Sequence, residues 1–457
     1  MSATRRVDIA VEGGTLAAFR LGNGPDRADA VLAVHGITGN SQAWRPVARS
    51  LDGAGELLAV DLRGRGASSA LPPPYGMEAY ARDMLAVLDA CEIERAVLVG
   101  HSLGAYAVAR FAADHPDRVR SAVLVDGGLT LPGIENVDPE RVATIMATGI
   151  GGLTTLETCH ALWRETRTRV GAKRYGLLML IPNAATGHIA IRIGAQGERK
   201  TITTACAGGT MAIGDAWRLL STGEADVALA GGSEGLVGDA DGFAFLGFDR
   251  LKTLSTRNDA PERASRPFDR DRDGFVLGEG SAVLILEREE HARARGARAY
   301  AAVLGYASNS NPDSFVQVDE SGASIVTLGR RALGVAGRDA NEVEHISAHG
   351  TSTIPNDRTE ARAFHTLFGP RVDRIPVTAL KSMTGHAIGA SGALETAALA
   401  LGLRHGWITP TINYEKPDPE CDIDVVANAP RQARPRLALK FSYGFGGHNS
   451  CLALAPA

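Results

Sequence analysis

Two residues in this chain sit where a turn would raise a nucleophile. Ser102 lies in Gly100-His101-Ser102-Leu103-Gly104, a G-x-S-x-G between a strand-like run at 96–100 and a helical segment at 103–115. The glycines let a strand turn sharply into a helix, which lifts the hydroxyl at the helix N-terminus beside free N–H groups able to hold an oxyanion. Cys206 lies in Thr203-Thr204-Ala205-Cys206-Ala207-Gly208-Gly209, after a β-prone run and before a small-residue helical segment at 207–220. A helix N-terminus favours thiolate, and small neighbours leave room for an acyl thioester. The chemistry expected at either residue is acyl transfer. Two histidines, His349 and His386, end apolar strand-like runs at 343–348 and 377–380 beside Gly, Ser and Thr loop residues, the setting in which functional side chains gather. A serine also needs a base. After Ser102 the acid candidate is Asp126, no histidine follows at the spacing of a base, and His101 reads as structural.

The elements that position these residues follow two patterns. Up to about residue 130, short Val/Leu-rich runs at 31–35, 57–61, 96–100 and 121–126 alternate with helical periodicity at 77–91 and 103–115. That is the signature of a parallel sheet with crossover helices. Ligands gather at the carboxyl ends of such strands, so His35-Gly36, Asp61-Leu62-Arg63-Gly64 and Gly100-His101-Ser102 should lie together. The pattern changes near Leu131 to Pro139, where prolines and glycine mark a seam. Two domains are therefore expected, 1–133 and 138–457.

With 457 residues the chain exceeds one ordinary core. A net charge of -4 provides no basic field for nucleic acid. The longest apolar run, at 176–182, is too short to cross a bilayer, and no signal-like segment opens the chain, so no membrane partner and a cytoplasmic location are expected. Five cysteines without a CxxC pair suit a reduced compartment and imply no metal cluster.

The segment carrying Ser102 resembles the α/β-hydrolase family, in which the His35-Gly36 loop would supply a second oxyanion donor. From Asp138 on, the chain resembles the elongating β-ketoacyl-ACP synthases. The blocks are Thr148-Gly149-Ile150-Gly151-Gly152, the Cys206 motif, Ala264-Ser265-Arg266-Pro267-Phe268-Asp269, Asp273-Gly274-Phe275-Val276-Leu277-Gly278-Glu279-Gly280 and His349-Gly350-Thr351-Ser352-Thr353. Lys381-Ser382-Met383-Thr384-Gly385-His386 and Ser442-Tyr443-Gly444-Phe445-Gly446-Gly447-His448-Asn449 close the series.

The resemblance implies an α/β fold: a thiolase-like layered αβαβα ketosynthase preceded by a truncated α/β-hydrolase parallel sheet. It implies an acyltransferase that condenses a Cys206-bound acyl group with malonyl-ACP, with loss of CO2, to give 3-oxoacyl-ACP in fatty-acid or polyketide synthesis. His349 and His386 would face the cysteine and stabilise the enolate, while the Cys206 and Phe445 N–H groups form the oxyanion hole and the Phe445 ring gates the thiol. Lys381 would pair with Glu395 and hold the histidine loop. Acyl carrier protein is the implied partner, and a homodimer through the strand at 225–232 the implied assembly. Neither organic cofactor nor metal is implied, since the chemistry runs on thioesters and imidazoles. The family's opening strand, first helices and second strand have no counterpart after the seam, and the opening strand is expected at the centre of its sheet. Two alternatives stay open: a degenerate, non-catalytic fusion that binds carrier protein, and a serine esterase or thioesterase using Ser102.

Overall fold

The computed structural model describes residues 4–21, 30–36, 39–50, 57–125, 137–168, 175–237, 242–312, 314–316 and 318–457. The chain forms two compact units, Met1–Pro132 and Gly133–Ala457. Asp126 lies outside the described residues, as does most of the seam.

Unit one holds six strands: β1 (Thr4–Val11), β2 (Gly14–Leu21), β3 (Val31–Val34), β4 (Leu57–Val60), β5 (Ala96–His101) and β6 (Val119–Val125). Their order is β1-β2-β4-β3-β5-β6. Strands β3 to β6 run parallel, as expected. The hairpin β1–β2 does not: it pairs antiparallel to itself and to β4, so the sheet is mixed. The hairpin turns at Gly13 and Gly14, whose φ values of 91° and 143° favour glycine. Helices Met77–Ala90 and Leu103–Asp114 bury Met84, Val87, Val108 and Phe111 against Leu32, Val34 and Leu98, burial that provides the main stabilisation of such a sheet.

Unit two contains two sheets of matching topology. The first comprises β7 (Val142–Ala147), β8 (Arg199–Ile202), β9 (Val227–Glu234) and β10 (Gly280–Glu287), ordered β10-β9-β7-β8. The second draws on β11 (Ala301–Ser310), β12 (His345–Ser347) and β13 (Val377–Thr378). After a small ribbon, β14 (Trp407–Ile408) with β15 (Arg431–Gln432), it is completed by β16 (Ala438–Gly444) and β17 (His448–Pro456), in the order β11-β17-β16-β12-β13. In both sheets a parallel trio is followed by an antiparallel strand, so β8, β7, β9 and β10 correspond to β13, β12, β16 and β17.

This correspondence corrects two expectations. Among the described residues, β11 is the strand that has no counterpart in the first sheet, and it is an edge strand beside β17. The absent position therefore lies outside β10 rather than at the sheet centre, and the second strand is present as β7. An edge vacancy leaves the remaining ladder intact, which is why four strands still close a sheet. Its trace is β10 itself, where Val283 and Ile285 stay exposed. The stretch 225–232 also cannot be a dimer edge, because β9 is hydrogen-bonded to β7 on one side and β10 on the other.

Candidate active site

Cys206 sits in a short 3-10 turn, Ala205–Ala207, that leads into helix Gly208–Ser221. Ala205 adopts φ 46°, a conformation L residues rarely hold, so the turn carries strain just before the nucleophile. Gly444 at the end of β16 packs onto it: a Cβ there would lie 2.6 Å from Thr204 O and 3.1 Å from Cys206 N. Only glycine allows that approach, and it brings Phe445 beside the cysteine.

The backbone of His349 is anchored by Glu360 on helix Ile354–Phe368, whose carboxylate accepts from His349 N at 2.8 Å and Gly350 N at 2.7 Å. His386 is pinned at both backbone groups, with His386 N donating to Val276 O at 2.7 Å and Gly278 N donating to His386 O at 3.0 Å. This is the structural work of the Phe275–Gly278 motif. The two imidazoles meet edge to face, 5.6 Å between centroids, and His386 also packs edge-on against Phe275 at 5.1 Å. An aromatic row continues from Phe275 through Phe248 to Phe445.

Cys206, His349, His386 and Phe445 line one cavity of about 500 Å³, together with Phe248, Ile388, Thr351 and Thr353. Lys381 and Glu395 pair at 2.5 Å, both buried. The Lys381 ammonium also donates to His349 O at 2.6 Å and approaches His349 Nδ1 at 3.3 Å. An ammonium can only donate, so His349 Nδ1 accepts and its proton resides on Nε2. His386 Nδ1 lies 3.0 Å from Ser391 Oγ, which leaves Nε2–H free toward the cavity when the serine donates.

Burial holds both imidazoles well below their ordinary value, and Lys381 and then Lys440 add to it. They are therefore neutral hydrogen-bond donors at neutral pH. Burial also pushes the Cys206 thiol up to about 12, against the pull of Lys381. Desolvation outweighs Lys381 and the backbone hydrogen bond, so the resting cysteine is held as a thiol, contrary to the sequence expectation.

Sequence reasoning missed Glu360, Ser391 and Lys440. Glu360 follows His349 by eleven positions and is legible only once the intervening turn folds back. Lys440 did leave a signal, as an isolated lysine in the otherwise uncharged β16 sequence ALKFSYG. His345, outside the motifs, is a satisfied structural residue: it is buried, 3.1 Å from Thr378 Oγ1, and burial lowers it to about 3.

In the first unit, Ser102 occupies the expected sharp turn at φ 50°, ψ -116°, ahead of helix Leu103–Asp114. His35 holds the neighbouring loops instead of facing the serine. Its Nδ1 lies 2.8 Å from Gly36 O, and its Nε2 accepts from Leu62 N at 3.0 Å. Gly36 packs against His101 and Ser102, and the residues following it lie outside the described ones.

Comparison with known proteins shows the family to which the chain belongs. Residues 120–292 match the model for "Beta-ketoacyl synthase, N-terminal domain" and residues 300–415 that for the C-terminal domain. A 3-oxoacyl-[acyl-carrier-protein] synthase 2 from Synechocystis sp. is 41% identical over 323 residues, spanning 70% of this chain and 76% of the relative. The chain belongs to the β-ketoacyl synthase family. It is an acyltransferase of the 3-oxoacyl synthase type with a thiolase-like fold, as the sequence implied. The tetracenomycin polyketide synthase ketoacyl synthase alpha subunit of Streptomyces glaucescens is 40% identical over 70% of this chain and 75% of the relative. A type II polyketide ketosynthase, solved with its acyl carrier protein, superposes with TM-score 0.67 at 35% identity, over 70% of this chain and 79% of that one. Residues 29–150 match the α/β-hydrolase fold. Among the described residues no helix is long and apolar enough to cross a membrane.

Proposed function

We propose that residues 138–457 act as a condensing domain in which Cys206 is the nucleophile and His349 and His386 the enolate stabilisers, with residues 1–133 as a separate hydrolase-like module. The observation that carries this reading is the convergence of one buried thiol and two neutral imidazoles on a single cavity. In the first half-reaction the Cys206 sulfur attacks an acyl thioester, the carrier thiol departs, and the cysteine proton passes to it. Backbone N–H groups of Cys206 and Phe445 hold the oxyanion. In the second, a malonyl thioester loses CO2 while the Nε2–H groups of His349 and His386 donate to its carbonyl oxygen. The resulting carbanion attacks the acyl-Cys206 carbonyl, and the cysteine leaves to regain a proton.

Acyl carrier protein is the proposed donor of both thioesters, supported by the solved relative that carries one. The proposed assembly is a homodimer, for which β8 offers the pairing edge that β9 lacks. The proposed location is the cytoplasm, a reduced compartment that suits a catalytic thiol and five cysteines without a CxxC pair. The test uses the full-length chain with acyl- and malonyl-loaded carrier protein. Cys206→Ala should abolish condensation and leave the fold intact. Retained condensation would sink the assignment, and rapid phosphonylation of Ser102 by a fluorophosphonate would favour the esterase alternative.

A further inference from the structure

Lys440 is a buried cation that the two half-reactions do not call upon. It stands on β16 and is completely buried. Its ammonium lies 2.8 Å from Glu395 Oε2, at an angle too poor for a hydrogen bond. It donates to Ser442 Oγ at 3.0 Å and to Phe441 O. Glu395 thus stands between two lysines, Lys381 on Oε1 and Lys440 on Oε2. One carboxylate faces two lysine amines in a dry site; burial lowers Lys440 while Glu395 pulls it back up, so the charge Lys440 retains is in excess of that carboxylate.

The trio also joins the two sides of the reaction. Ser442 Oγ lies 2.8 Å from Thr210 Oγ1 on the cysteine helix. A continuous polar path therefore runs from that helix through Thr210, Ser442, Lys440, Glu395 and Lys381 to His349. The other ionisable groups that face Lys440 are Glu360 on helix Ile354–Phe368 and Cys451 on β17. Glu360 is pushed up to about 7 by burial, and burial raises the Cys451 thiol. Neither therefore cancels the surplus charge fully at neutral pH.

We propose that Lys440 is a positioning residue of the condensation site, whose charge keeps Glu395 clamped on Lys381 and maintains His349 and His386 as neutral donors for the enolate. The proposal rests on the function assigned above to those histidines. The lowered protonation of both imidazoles, to which Lys440 contributes, agrees with it.

The role separates from plain structural support, because a buried cation in excess is not expected to stabilise the fold. Removing one member of a buried ion pair is costly where it strands the partner's charge, but here Lys440→Met leaves Glu395 still paired with Lys381. Lys440→Met in the full-length chain should therefore melt at or above the wild-type temperature. Acylation of Cys206 by an acyl N-acetylcysteamine thioester should stay within about threefold, because that step does not use the imidazoles. Release of CO2 from malonyl N-acetylcysteamine should fall by at least about tenfold, less than the loss of a direct oxyanion donor. Its acid limb should move to higher pH, since removing a nearby cation lets the imidazoles protonate more readily.

Ser442→Ala supplies a second variant that keeps the charge and breaks the path to Thr210. It should slow CO2 release without moving the acid limb. Lys440→Met with CO2 release and acid limb both unchanged would overturn the inference alone. So would a drop in both half-reactions together with the melting temperature. A wild-type chain that is acylated at Cys206 but releases no CO2 would overturn the function assigned to the histidines, and this inference with it.

Discussion

Gly444→Ala tests whether the backbone beside Cys206 is as tightly held as the site requires. The glycine has no special φ, so space alone decides the outcome. An added Cβ would meet Thr204 O at 2.6 Å, Cys206 N at 3.1 Å and Ala207 N at 3.1 Å. All three are backbone atoms of the nucleophile turn, and none can yield by changing rotamer. Restoring ordinary contact with the carbonyl oxygen requires the turn to retreat by roughly 0.8–1 Å. Overpacking of that kind typically costs about 1–3 kcal/mol. A displacement approaching 1 Å at the reacting centre lowers the rate by about 10²-fold. The assay pairs a thermal melt of the full-length variant with condensation of carrier-bound substrates. The expected result is a lower melting temperature and a rate loss of one to two orders of magnitude. A variant that melts with wild type and condenses within twofold would refute the claim that Gly444 fixes the cysteine turn.

The remaining expectations concern protonation and the open sheet edge. Because burial pushes Cys206 up to about 12, its alkylation by iodoacetamide, followed by mass spectrometry, should keep rising to pH 10. A plateau between pH 7 and 8 would show a stabilised thiolate instead. The imidazoles work as neutral donors, and their protonation is held well below 6.5 by burial and by Lys381. Activity from this source is present above the lowered value and lost only as pH falls through it, so a pH–rate profile with an acid limb near 6.5 would contradict the assignment. Finally, Val283 and Ile285 are exposed on β10, which among the described residues is an edge strand, a template for strand addition. Ile285→Lys should reduce concentration-dependent light scattering, and unchanged scattering would show that the edge is not used.

Chemistry written as contiguous residues was legible in the sequence alone. The turn around Cys206, the elbow at Ser102 and the histidine loops reside in short motifs whose backbone demands are local, whereas the Lys381–Glu395 pair was implied by the family resemblance. The helices Met77–Ala90, Leu103–Asp114 and Gly208–Ser221 fall within a residue or two of the periodicity that marks them. The strand runs of unit one did as well, because Val- and Leu-rich stretches between glycine-containing turns have few other solutions.

What tertiary structure decided lies in pairings between distant segments. The hairpin β1–β2 gave an antiparallel edge that periodicity does not distinguish from a parallel one. The place of the vacant strand became readable only by laying one sheet of unit two on the other, since strand order is a property of long-range pairing rather than of any run of residues. Cys206 illustrates the same division in energy. Its position before a helix argued for thiolate, but the degree of desolvation depends on what the fold packs around it, and burial outweighs the pull of Lys381. Lys440 and Glu360 were invisible for the complementary reason: a lysine or glutamate reads as solvated until the chain folds a partner against it, here Glu395 for one and the His349 and Gly350 N–H groups for the other.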